Sequence, residues 1–195
     1  YLRLSDTDTD AAQVRENLPA SAKASTAIQD GIVLGADNGL AGGIGTVDSA
    51  FAQLGRIVPI GGNFPAQPDE IAVTTTLLDA LGCSYDLGQT ITLKVADNDY
   101  DPLSGSGKIV EQTYTLCGVL PAYDVYWNLG SNLTVSAVVA EPLALAGQKF
   151  QTFYDLNADT VGTASDDPNF IANEYAYPQE DTVSSSLTFL LMIAI

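Results

Sequence analysis

Apolar and polar side chains alternate strictly over residues 90–95, with Ile91, Leu93 and Val95 on one side and Thr90, Thr92 and Lys94 on the other. That period of two predicts a half-buried strand. Upstream, residues 70–73 carry β-branched Ile71 and Val73 behind Pro65 and Pro68 and predict a short strand. Thr74 or Thr75 then offers a hydroxyl to the free N–H groups of a first turn. Leu77, Leu78 and Leu81 share one side of a helix of about two turns, and Gly82 stands where a left-handed cap ends it. A turn at Asp86-Leu87-Gly88 completes a strand–helix–strand unit over residues 68–93.

The same reading extends along the chain. Residues 4–10 are polar and lead into a helix capped by Asp8 or Asp10, carrying Val14 and Leu18 and stopped by Pro19. Residues 20–28 allow a strand, 31–35 form a short apolar strand, and the glycine-rich run 35–45 reads as a flexible loop. A helical turn at 50–54 and a strand at 56–60 precede the central unit. After it, a polar loop at 96–111 leads to a strand at 112–120, with Tyr114, Leu116 and Gly118 on one face and Thr115, Cys117 and Val119 on the other. This strand pairs with 90–95 as a hairpin with a flexible tip. Beyond lie a strand at 133–140, a short helix at 141–146, a strand at 151–156, a loop at 159–168 and the uncharged apolar run 187–195. A membrane-spanning helix needs roughly 20 residues. The terminal run is therefore either a core element or the start of a truncated transmembrane helix.

Composition narrows the partners. Seven basic and 24 acidic side chains give a formal charge of −17 over 195 residues, with 46% hydrophobic residues. Such a field repels phosphate backbones, so no nucleic acid is expected. Cys83 and Cys117 either pair, in an oxidising compartment, or pack as two small thiols.

Little in the chain points to catalysis. There is no histidine, which removes serine or cysteine nucleophiles activated by a histidine base and histidine zinc sites. Paired carboxylates for hydrolysis stay open. Gly43-Ile44-Gly45 has Asp48 where a dinucleotide-binding loop needs its third glycine, and Gly105 to Lys108 has Pro102 and Ile109 at two required positions of a phosphate loop. Two oxygen-rich runs have calcium-loop spacing: Asp97, Asp99 and Asp101, and then Asp155, Asn157 and Asp159 with Asp166 at the twelfth position. Pro102 and Thr160 replace the sixth-position glycine and Lys108 the first loop's bidentate acid, so a solvated acidic loop is the competing reading. Tyr123, Tyr126 and Trp127 are either a partner contact or core.

Read together, EIAVTTTLLDALG, LGQTITL and YTLCGVLPAY resemble the large extracytoplasmic domain of MacB-like ABC transporter permeases, in the FtsX-like superfamily. The residues that carry the resemblance are Gly62, Pro65, 70–73, Leu77, Leu81, Gly82, Gly88, Ile91, Leu93, Tyr114, Gly118 and Val119, within about residues 56–123. It implies an α+β, two-lobed mixed domain. A central lobe, 56–132, would be inserted into a membrane-proximal lobe built from both chain ends, 1–55 and 133–186, with 187–195 opening a transmembrane helix. It further implies a non-catalytic domain at the cell membrane, on the extracytoplasmic side. Such a domain has no cofactor of its own and transmits ATP-driven conformational change. Its partners would be a cytoplasmic ABC ATPase reached through the parent permease, a second permease copy, and an extracellular partner or substrate. The alternative, from a different class, is a secreted or surface-anchored adhesion or ligand-binding module with acidic calcium loops.

Overall fold

In the computed structural model, which describes residues 2–5, 22–128 and 133–155, the apolar runs become nine strands of one mixed sheet. Strand β1 (Leu2–Ser5) pairs antiparallel with β9 (Lys149–Asp155), and β9 pairs with the first half of β2 (Lys23–Leu34). From β2 the ladder runs to β3 (Leu40–Val47), then in parallel to β8 (Val135–Val139). It continues antiparallel to β5 (Glu70–Thr74) and in parallel to β7 (Ile109–Leu120). Strand β6 (Thr90–Ala96) pairs antiparallel with both β7 and the far end of β2. Six strands thereby close into a ring in the order β2, β3, β8, β5, β7, β6. The two-residue β4 (Gly61–Gly62) hangs on β7. With helices α1 (Phe51–Gly55), α2 (Thr75–Leu81) and α3 (Tyr123–Trp127), the chain is α+β.

Every strand of the ring contributes to one interior. Val33, Ile44, Ala137, Val73, Leu116 and Leu93, one from each strand, are all at most 1% exposed and belong to a single cluster. Each large aliphatic side chain buried there contributes about 1.5–3 kcal/mol. Helix α2 lays Leu77 and Leu78 against this interior, because the Leu77 N–H donates to Thr74 Oγ1 at 3.4 Å and Gly82, at φ +66°, ends the helix as expected. A second core lies outside the ring, where Phe51 from α1 and Tyr123 and Trp127 from α3 meet Phe153 of β9. Strands from residues 56–132 sit side by side, as do those from the two flanking segments. The two groups join along β8·β5 and β2·β6 and share the interior.

Several local expectations are corrected. The glycine-rich run 35–45 is mostly strand β3, reached through a 3-10 turn at Ala36–Asn38. Its glycines serve close approach: a Cβ on Gly45 would run into the Ile28 carbonyl oxygen, and one on Gly43 would lie 2.7 Å from the Thr134 oxygen. Residues 56–60 form no strand, since Arg56 takes a left-handed conformation (φ +52°) to end α1, and Val58 and Ile60 stand 72% and 64% exposed. No helix forms at 141–146, because the Leu143 N–H is committed to the Asp30 carboxylate at 3.2 Å and that of Leu145 to the Leu143 oxygen. In β7 a bulge leaves Cys117 without a partner in the β5·β7 ladder, between Ile71↔Leu116 and Ala72↔Gly118, so Leu116 and Val119 both enter the interior against the simple alternation. Leu4 and Ser5, at the start of the polar lead-in expected over 4–10, belong to β1. The expected helix at 8–18 and the run 187–195 lie outside the described residues.

Candidate functional site

Helix α3 carries the aromatic trio and divides it. Tyr123 is fully buried and donates its hydroxyl to the Val135 oxygen at 2.6 Å. Trp127 is 2% exposed and packs between Phe51 and Phe153, with ring centroids 5.7 and 5.3 Å away. Tyr126 is 45% exposed beside an exposed Val125. Of the three residues read as either partner contact or core, Tyr123 and Trp127 therefore hold the outer core. The apolar surface that α3 turns outward is Val125 and Tyr126.

The first acidic run is not gathered around a common centre. Asp97 Oδ2 accepts the Lys108 N–H at 3.0 Å. Asp101 accepts the Leu103 N–H at 2.9 Å and the Ser104 hydroxyl at 2.6 Å, and these bonds hold its carboxyl below the usual value. Asp99 faces Gly147, with its oxygens 3.3 Å from where a Cβ would stand. Together with the Asp101 N–H to Ser106 oxygen bond (2.9 Å), these contacts pin the hairpin tip that the sequence suggested would be flexible. Among the described residues no three His, Cys, Asp or Glu side chains lie close enough to hold a metal ion. Of the second run, Asp155 ends β9, while Asn157, Asp159 and Asp166 lie outside the described residues.

Two buried carboxylates were not singled out in the sequence. Asp30 stands in the β2 bulge, where β9 leaves one edge of the strand and β6 joins it. It is fully buried and accepts from the Leu143 N–H and from Gln148 Nε2 at 2.5 Å. Beside it, Gln29 exchanges two bonds with Asn98, at 2.7 and 3.0 Å, so polar side chains fill the fork. The signal was present as the polar pair Gln29-Asp30 interrupting an apolar run. Asp124 on α3 is 3% exposed and accepts the Thr74 hydroxyl at 2.9 Å, which ties α3 to the cap of α2. Burial pushes both carboxyls above their usual value, and the hydrogen bonds oppose this only in part.

Cys83 and Cys117 are free and half-buried. Burial, then the charge of Glu70, raises the Cys117 thiol to about 11, which keeps it protonated and unreactive. The arrangement offers packing and buried hydrogen bonding.

No protein-family model matches the chain, and no curated protein matches it. Among solved structures it is similar to a domain of a protein from Porphyromonas gingivalis described as a permease, at 13% identity and a TM-score of 0.38. The match covers 88% of this chain and 76% of that one. A likeness of that size leaves fold and role to be argued from this chain's own residues. Among the described residues no helix is long and apolar enough to cross a membrane.

Proposed function

We propose that the chain is an extracytoplasmic domain of an ABC transporter permease of the MacB-like, FtsX-like kind. In this role it is non-catalytic, transmits ATP-driven conformational change from a cytoplasmic ATPase and contacts a substrate or partner protein. The observation that carries this reading is the fate of the residues in the sequence resemblance. Ile71, Val73, Leu77, Ile91, Leu93, Tyr114 and Val119 all lie in the ring interior. Gly82 and Gly88 take the left-handed turns, at φ +66° and +85°. Gly62 and Gly118 pair across β4·β7, where a Cβ on either would run into the opposite main chain. The resemblance thus coincides with one folded unit, in which these eleven marked positions each have a physical task.

Fractionation of cells expressing the complete gene product tests it. The protein should stay with membranes after carbonate extraction, be cleaved by protease added to intact cells, and bring down an ATPase on mild solubilisation. A protein released to the medium with no membrane-bound form would overturn the reading and favour the secreted ligand-binding module.

A further inference from the structure

Strands β3 and β8 run in parallel and then part. Their ladder ends at Gly45↔Val138, yet β3 continues to Val47 against β2 and β8 continues to Val139 against β5. Among the described residues, the main-chain edges of residues 46–47 and 139–140 on the sides that border this gap belong to no ladder. Unladdered strand edges are templates for another extended chain. A cavity of about 250 Å³ fills the gap, walled by Val47, Asp48, Ala52, Phe64, Val138 and Ala140. Pockets for drug-sized ligands span about 300–1,000 Å³, so this smaller space suits a single side chain better.

The walls are fixed in advance. Asp48 is the one ionisable residue among the described residues that line the cavity. Its Oδ1 accepts the Ser25 hydroxyl (2.8 Å) and the N–H groups of Ala50 and Phe51 (3.0 Å each), and its Oδ2 accepts that of Thr26 (2.6 Å). Opposite, Glu70 Oε2 accepts the N–H groups of Ala66 (2.8 Å) and Gln67 (3.0 Å) and so holds the loop that carries Phe64. With Asp48 turned to four donors of its own chain, an incoming group meets the apolar side chains of Val47, Ala52, Phe64 and Val138 beside Ser49 and open main chain, not a free carboxylate. The formal charge of −17 favours basic residues on either side of that group.

We infer that this crevice binds an extended segment of a partner protein, seating one neutral apolar side chain while the segment's main chain bonds to the open edges of β3 and β8. The inference does not rest on the permease reading. Two capped peptides test it on the full chain, Lys-Ala-Leu-Ala-Lys and Lys-Ala-Ala-Ala-Lys, each titrated while amide shifts are followed by NMR. The leucine peptide should give saturable shifts at Val47, Ser49 and Ala140 and bind at least about tenfold tighter than the alanine peptide, as burial of one such side chain predicts. Ala52→Leu, which fills the cavity from α1, should weaken the leucine peptide about tenfold at unchanged Tm. If that variant is destabilised, Ala140→Leu closes the crevice from β8. Equal affinity of the two peptides, no saturable shift, or full binding by a folded filled variant would overturn the proposal.

Discussion

The ring interior and the aromatic cluster outside it are packed by different means. Inside, aliphatic side chains from all six ring strands meet one another, and the ladders that bring them together close on themselves. Outside, four aromatic rings meet at centroid distances of 5.2 to 5.8 Å, several edge to face. Two of those rings' carriers, α1 and α3, are five-residue helices that do not persist without tertiary contacts. The interior is thus fixed by topology and the outer cluster by side-chain geometry. The consequence is that α1 and α3 can shift without breaking a strand pair, whereas the interior yields only with the whole fold.

Charge in the interior should have the largest effect. Leu77→Asp places an unpaired carboxylate at a fully buried site and should cost about 4–5 kcal/mol or more, a large part of a typical total of about 5–15 kcal/mol. Far-UV circular dichroism should show the strand signal lost or melting far lower. A variant that melts like the parent would mean that α2 does not seal the ring. Next in size, Trp127→Ala should cost about 3–5 kcal/mol yet keep the strand signal below its lowered Tm, because no ladder depends on it. Loss of the strand signal at all temperatures would erase the distinction between the two regions.

The smallest effect concerns Asp124, which joins the regions through Thr74. Its carboxyl is raised by burial, so above the ordinary carboxylate value the folded state holds more proton than the unfolded one. Stability from this group therefore falls as pH rises from that value through the folded pKa, and Asp30 acts in the same direction. Denaturation from about pH 4 to about pH 8 should show a shallower decline for Asp124→Asn than for the parent. Parallel slopes would mean that Asp124 is not buried when the protein is in solution.

How legible each part was follows from how local its causes are. The unit from Glu70 to Ala96 was readable because its cap hydroxyl, leucine spacing, turn glycines and alternation all act within a few residues. Strand β3 was not, because the tolerance for Gly42, Gly43 and Gly45 is set by Ser136, Thr134 and Ile28, the first two about ninety residues away. The Cys117 bulge escaped for the same reason, since only pairing with β5 reveals it. Of the candidate contact residues, the helical register of Tyr123 and Trp127 against exposed Tyr126 could not be read from a five-residue helix without knowing where the ring lies. Asp48, the fixed wall of the β3–β8 crevice, is visible in sequence only as the residue that stands where a dinucleotide-binding loop needs its third glycine.

The pairing of β1 with β9 also has a mechanical consequence. Leu2 lies opposite Tyr154, so the first described residues and the last stand side by side at one end of the β1·β9 ladder. Tension that drew these two strand ends apart would open a four-pair zipper one rung at a time. Motion that carried them together would instead be borne by the seven pairs of β9·β2, loaded side by side, and delivered to the ring through a single long strand. The body is soft to being pried open and stiff to being towed.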